Sequence, residues 1–422
     1  MVQLVIKDAM TTDGRKKSVV CESGMISQIA SEGDPLPEGD RIIDGNDLLL
    51  IPGLCNTHTH ASMTLFRGIG EDRDLKSWLE EEIWPREAKM ERRHLEAGME
   101  LACLEMIKTG TTLFNDMYFR EGDLAGIVDK MGLRAILGEG FLDMFSPDKR
   151  EEDIKSTERA IEGIEALGSD RVGYSIAPHS AYTVCREGLE WCRDKALEKE
   201  VTLHIHLSET ENEVKEVNRK YGVSPFRYLE DVGLLGPHTI AAHCVHCDPE
   251  GIDLIKRSGC FVSHNPISNM KLSSGGPMPL KSMIDREVSV TIGTDGASSN
   301  NTLDMFVSMR AASLMAKHMW GVDSIRGEQF MEMGTSRGYE ALGIEGGKIE
   351  EGCVADLILL DLNHHAMNPP NDQLSNVLFS ATGEVVKFTI VGGRVLMEDG
   401  HVEGENDIIK RARIAAEELR EI

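Results

Sequence analysis

Short apolar runs alternate along the middle of this chain with longer charged segments of helical period, a texture that predicts repeated β-then-α units around a parallel sheet. Eight runs can be counted, at 53–57, 111–115, 134–139, 172–177, 201–207, 239–242, 260–263 and 288–293. That number favours a closed barrel over an open sheet. The two ends read differently. Segments 2–6, 16–21, 25–30 and 41–51 look like strands parted by Asp, Gly, Glu and Pro turns, and 355–360, 384–391 and 394–397 repeat the pattern around a Gly392-Gly393 turn. The expectation is that both ends build one small β lobe. The division that follows is a lobe of 1–52 plus 347–405, a barrel of 53–346, and an amphipathic helix over 406–422 docked outside.

Composition narrows the partners. The chain has 422 residues, 41% apolar and 27% charged, which suits a soluble globular protein with a large core. Its net charge of -26 repels phosphate backbones and anionic lipid, so neither nucleic acid nor a membrane is an expected partner. Nine cysteines are scattered without a framework spacing, as in a reducing compartment. Residues 1–10 carry Lys7 and Asp8 and no apolar stretch of signal type, and no run approaches membrane-spanning length. A cytoplasmic location is expected.

The chemistry concentrates where the apolar runs end, which in a barrel is the face where residues far apart in sequence converge. The first run closes on His58-Thr59-His60, and period two turns both imidazoles to one side, an arrangement that suits a metal. Alone, such a pair is more often two polar residues in a loop. The fifth run reads His204-Ile-His206-Leu-Ser-Glu209, which offers His206 as a third donor and leaves His204 deeper, as a hydrogen-bonded interior residue. The eighth ends on Asp295, a carboxylate that could equally cap a helix. His243 and His179 close the sixth and fourth runs. Three imidazoles and a carboxylate suit zinc but leave iron or another first-row ion open.

Taken in order, Pro-Gly-Leu-Cys-Asn-Thr-His58-Thr-His60, His206-Leu-Ser-Glu209, Ala-Ala-His243-Cys-Val-His, Ser-His264-Asn-Pro and Gly-Thr-Asp295-Gly resemble the amidohydrolase superfamily. Within it they are most similar to the mononuclear-metal deaminases of 5'-substituted adenosines. The resemblance implies a distorted TIM (β/α)8 barrel with a β-sandwich lobe made from both chain ends, and one divalent metal, usually zinc, held by His58, His60, His206 and Asp295. It also implies a homo-oligomer, with a tetramer the common form. Binuclear relatives need a Lys at the end of strand four, where this chain has Ala177-Pro178-His179. Zinc deaminases that edit bases use a His-x-Glu with Pro-Cys-x-x-Cys, whereas here Cys244 and Cys247 stand alone and read as strand-end packing.

The expected reaction is attack on C6 of an adenine by a metal-activated hydroxide, available near neutral pH. Asp295 would accept the water proton, Glu209 would protonate N1, and His243 would steady the tetrahedral adduct. From the resemblance, Glu87 holds the ribose hydroxyls, His179 meets the purine N3 side, and Trp78 walls off the 5' end. Relatives specific for S-adenosylhomocysteine carry an Arg at the end of strand three, where this chain reads Glu139-Gly140, a carboxylate expected to repel the amino-acid tail, with Arg150 as a weaker clamp. The favoured substrate is therefore 5'-deoxyadenosine, ahead of S-adenosylhomocysteine, methylthioadenosine and adenosine. A deaminase or chlorohydrolase of guanine, cytosine or a triazine is the alternative enzyme, and a metal-free scaffold protein the alternative of another class.

Overall fold

In the computed structural model, which describes residues 2–73 and 75–420, each of the eight apolar runs forms a strand. The lobe strands come first: β1 (Val2–Met10), β2 (Lys16–Glu22), β3 (Met25–Ser31), β4 (Arg41–Asp44) and β5 (Leu48–Pro52). The barrel strands are β6 (Leu54–Thr59), β7 (Thr111–Tyr118), β8 (Arg134–Phe141), β9 (Val172–Pro178), β10 (Leu203–Leu207), β11 (Thr239–His243), β12 (Phe261–His264) and β13 (Val290–Ile292). Every neighbouring pair from β6 to β13 is parallel, with helices between.

The circle closes by a different device. Between β13 and β6 the link is made by Thr294 and Asp295 N–H groups, which both donate to the His58 carbonyl at 3.1 and 2.9 Å. Side chains reinforce this seam. Asn56 donates to Thr294 Oγ1 at 2.7 Å and accepts from Thr294 N–H at 3.0 Å, while Thr57 Oγ1 lies 2.8 Å from Ser263 Oγ and 2.7 Å from Thr291 Oγ1. All these groups are buried, so water cannot replace a lost partner. Asn56→Ala is expected to destabilise the fold by about 1–3 kcal/mol, because it removes two buried hydrogen bonds to Thr294, whose N–H keeps only the His58 carbonyl and whose hydroxyl keeps only Asp295 O. A melting curve checks this; a shift within error would mean the seam is held elsewhere.

The lobe contains β14 (Leu357–Asp361), β15 (Val386–Val391) and β16 (Arg394–Glu398) from the far end of the chain. Its sheet runs β16-β15-β14-β5-β1-β2-β3, with β4 beside β1, so β14 against β5 joins the two ends as expected. The sheet curls back on itself where Ile26 N–H meets Cys353 O and Ala355 N–H meets Gly24 O, enclosing Leu4, Ile6, Val19, Leu50, Leu359 and Ile390. The expected strand over 41–51 is broken in two. Gly45-Asn46-Asp47 makes a turn in which Asp47 is left-handed, sending β4 to β1 and β5 to β14.

Gly53 separates the lobe from the barrel, and a Cβ there would lie 2.0 Å from Thr112 Oγ1. Only glycine allows that approach. Nearby, Arg134 forks onto the buried Asp356, which also accepts from Tyr339 and from Gly392 N–H, so the ion pair is fully hydrogen-bonded. The C-terminal helix Glu405–Arg420 buries Ile408, Ala412, Ala415 and Leu419, and salt bridges join it to the helix Arg92–Lys108; the last two residues of its expected span lie outside the described residues. Among the described residues, no helix is long and apolar enough to cross a membrane.

Candidate active site

The C-terminal ends of the barrel strands frame a cavity lined by His60, Glu87, His179, Glu209, His243 and Asp295 among apolar side chains, the make-up of a small-molecule site. At its floor, the ends of β6 and β10 and the turn after β13 bring His58, His60, His206 and Asp295 together. His58 Nε2 and His60 Nε2 lie 3.5 and 3.2 Å from Asp295 Oδ1, and His206 Nε2 lies 3.3 Å from His60 Nε2.

Each ring is oriented from behind. His60 Nδ1 meets Met117 O at 2.6 Å and His206 Nδ1 meets His179 O at 2.9 Å, so both rings donate there and present Nε2 lone pairs to the site. His58 Nδ1 lies 2.8 Å from His204 Nε2, which gives His204 the interior role read from its depth in the strand. His58 Nε2 is buried and has no hydrogen-bond partner. Lone pairs this close repel unless a proton or a cation lies between them. Burial disfavours charge on His60, but Asp295 outweighs it and raises the pKa to about 9, whereas burial holds His206 well below the usual histidine range. Burial would also raise the pKa of Asp295, yet contact with His58 and His60 brings it well below the usual carboxylate range. An anionic oxygen and three imidazole nitrogens converging from orienting partners fit a divalent metal.

The backbone bends sharply where these groups are presented. Ser208, His243, Cys244 and Asp295 all have positive φ, a costly conformation away from glycine that clusters at functional sites. Asp295 is locked further by Ser268 and Ser299 hydroxyls on Oδ2 and Gly296 N–H on Oδ1.

Above the floor sit the groups suited to acid–base work. Glu209 lines the cavity with only 12% of its side chain exposed, and burial, with Asp295 and Glu213 nearby, raises its pKa well above the usual range. These surroundings favour its protonated, proton-donating form. His243 Nδ1 lies 3.8 Å from Glu209 Oε1 and accepts from Asn269 Nδ2 at 2.8 Å, while burial lowers its pKa to about 3, so the ring is neutral. Glu87 accepts from the Tyr118 hydroxyl at 2.6 Å, and His179 Nδ1 is engaged by Thr183 and Ser180. Trp78 donates Nε1–H to Ile69 O and turns its ring to the cavity wall.

Two expected contacts are not made. Glu139 points away from the cavity: it accepts from Glu121 N–H and Ser156 Oγ, both at 2.8 Å, behind the strand. Strand parity turns Gly140 to the cavity in its place. Arg150 reaches Cys185 and Glu187 and does not line the cavity. Cys244 and Cys247 are buried free thiols, in keeping with packing. Sequence reading missed Tyr118, Asn269 and Glu213. Of these only Glu213 had a signal, the Thr210-x-x-Glu213 spacing of a capping box.

Comparison with known proteins agrees with this geometry. The amidohydrolase family profile matches residues 49–396. A 5'-deoxyadenosine deaminase from Methanothermobacter thermautotrophicus is 41% identical over 408 residues, 96% of this chain and 95% of that one. Another from Methanosphaera stadtmanae is 39% identical over 421 residues, covering 99% of each. Among solved structures, an adenosine deaminase from Xanthomonas campestris with bound zinc superposes with a TM-score of 0.94 at 28% identity, covering 100% of this chain and 99% of that one.

Proposed function

The chain belongs to the amidohydrolase family, and from that premise we propose that it is a hydrolytic deaminase converting the adenine of 5'-deoxyadenosine to the inosine analogue with release of ammonia. The observation that carries this reading is a buried carboxyl group, Glu209, and a buried imidazole, His243, placed together over a floor of three imidazoles and one carboxylate. His58, His60, His206 and Asp295 would hold one divalent metal. When bound, such a metal lowers the pKa of a coordinated water to about 7 and supplies the nucleophile.

The side chains then have separable tasks. Asp295 accepts the water proton as oxygen bonds to C6, and Glu209 gives its proton to N1, so the ring carries no negative charge. His243 stabilises the tetrahedral carbon by hydrogen bonding. The proton on Asp295 passes to the departing amine, the C6–N bond breaks, and the new hydroxyl returns its proton to Glu209 as the carbonyl forms. Glu87, fixed by Tyr118, receives the ribose hydroxyls, and His179 faces the N3 side of the purine.

The cavity wall supports the choice of substrate. Among the described residues lining it there is no Lys or Arg; Leu75, Leu79, Ile83, Trp84, Phe119 and Leu142 line the same cavity as Glu87. A 5'-methyl group is at home there, whereas an amino-acid carboxylate would lose its hydration without gaining a partner. Zinc as the metal and a homotetramer are finer parts of the proposal that rest on resemblance, while the division at residues 52, 346 and 405 rests on the pattern of apolar runs and a cytoplasmic location on the scattered cysteines.

Ammonia release from four nucleosides tests the reading. The kcat/KM for 5'-deoxyadenosine is expected to exceed that for S-adenosylhomocysteine by at least about tenfold, the scale of one unpaired buried polar group. Gly140→Arg should narrow the gap, since a Cβ at Gly140 meets nothing closer than Tyr118 O at 3.3 Å and the guanidinium would reach the tail. Equal rates on both substrates would refute the apolar-wall argument.

A further inference from the structure

We infer that Glu213 is the positioning residue for Glu209, its carboxylate clamping the Ser208–Glu209 turn so that the proton-donating side chain is aimed into the cavity. The inference rests on the proposed deamination, and in particular on Glu209 as its acid.

Glu213 is 1% exposed and sits in the first turn of the helix Glu211–Tyr221. Its two oxygens take different donors: Oε1 accepts from Ser208 N–H at 2.8 Å and Oε2 from Glu209 N–H at 2.9 Å. Thr210 completes the cap, accepting from Glu213 N–H at 3.2 Å. In an ordinary capping box the third helical residue reaches back to the cap residue itself, and glutamine serves as well as glutamate. Here the reach extends to the two residues before the cap, and both carboxylate oxygens are used.

The turn needs holding. Ser208 is left-handed, with φ 49°, and it lies between His206 on the cavity floor and Glu209 at its side. The same turn is tied to the strand that carries His243, since Leu207 O accepts from Cys244 N–H and Ser208 O from His246 N–H, both at 2.9 Å. Glu213 thus fixes three functional groups relative to one another through backbone atoms, touching none of their side chains.

Its charge has a use that capping does not require. No cation pairs with Glu213 among the described residues, and an unpaired buried carboxylate is costly. The groups facing Glu209 are Asp295, Glu213, His60, His243, Tyr182 and the Ser274 hydroxyl. Burial raises the Glu213 pKa to about 7 against the pull of its N–H donors, so it is an anion on the alkaline side of neutrality, and of the two carboxylates it is the one outside the metal-binding cluster. A negative neighbour keeps a proton on Glu209, which is the form that can serve N1.

Two variants separate the clamp from the charge, with 5'-deoxyadenosine as substrate and the metal-loaded full chain throughout. Glu213→Gln is expected to lower kcat roughly tenfold to a hundredfold with KM changed less than about threefold, and to move the alkaline limb of the kcat/KM profile to lower pH. The direction follows because loss of a negative neighbour lets Glu209 ionise sooner. Glu213→Asp keeps the charge but withdraws it by one methylene, so kcat should fall while the limb stays in place. It also serves should the Gln variant not fold. An unmoved limb in Glu213→Gln, or full kcat in Glu213→Asp, would overturn the assignment. Failure of the underlying reading looks different: the wild type would then release no ammonia from 5'-deoxyadenosine at any pH.

Discussion

Asp295→Asn should strip the site of metal and lower kcat/KM for 5'-deoxyadenosine by roughly four orders of magnitude, the combined scale of losing a general base and the charge that binds and activates the cation. Asp295 is the only anion among the four converging groups, so its loss leaves three neutral imidazoles to hold a dication. The substitution is otherwise mild. Asn tolerates the left-handed backbone found at this position, and its amide matches the carboxylate in shape. It cannot match the donors, however. Ser268 and Ser299 hydroxyls and Gly296 N–H all point at carboxylate oxygens, so an NH2 must face either a donor or the imidazoles. Metal per chain, measured by mass spectrometry on protein of unchanged melting temperature, separates this account from unfolding. A variant that keeps a full complement of metal and a tenth of the wild-type activity would rule it out.

The sequence exposes the barrel because each strand is a buried apolar run ending in a polar cluster, and burial on both faces leaves little else that such a run can be. It also exposes the floor of the site. Two-residue spacing makes His58 and His60 share a face, and likewise His204 and His206, while depth along the strand separates His206 at the floor from His204 behind it, where His204 orients His58. At Glu139 the resemblance at the end of the third barrel strand points to the cavity, whereas the alternation along β8 turns the side chain away from it. Leu137 and Phe141 pack with the helix-side core, and Glu139 lies between them on the same face of the strand. The preference against a carboxylate tail survives, but its cause is an apolar wall and not a repelling charge.

What stayed hidden is contact made across the fold. Tyr118 meets Glu87 from another strand end, Asn269 meets His243 from a helix beyond the next strand, and the seam at Asn56 joins residues 238 positions apart. No local pattern encodes these pairs. The Gly45–Asp47 break was hidden for the opposite reason, since a continuous apolar reading of 41–51 outweighed a turn of three polar or small residues.

Glu209→Gln should leave metal content and KM near the wild-type values and lower kcat by about a thousandfold, within the range expected when a general acid is lost. The amide can still donate a hydrogen bond to N1, so binding survives. It has no proton to give, so water attack on C6 must place negative charge on the purine ring. The pH profile carries the sharper signature. Burial first, then Asp295 and Glu213, raise the Glu209 pKa well above the carboxylate range, so the active protonated form persists beyond the pH at which an exposed Glu ionises and is lost as pH rises through the raised pKa. Wild-type kcat/KM should therefore fall on the alkaline side, and the fall should be missing in Glu209→Gln, which has nothing there to ionise. A bound cation would offset part of the Asp295 contribution and bring the limb lower than Asp295 unopposed would set it. If the Gln variant kept the same alkaline limb, the proton donor to N1 would have to be another group, and Glu209 would be reduced to a contact with the base.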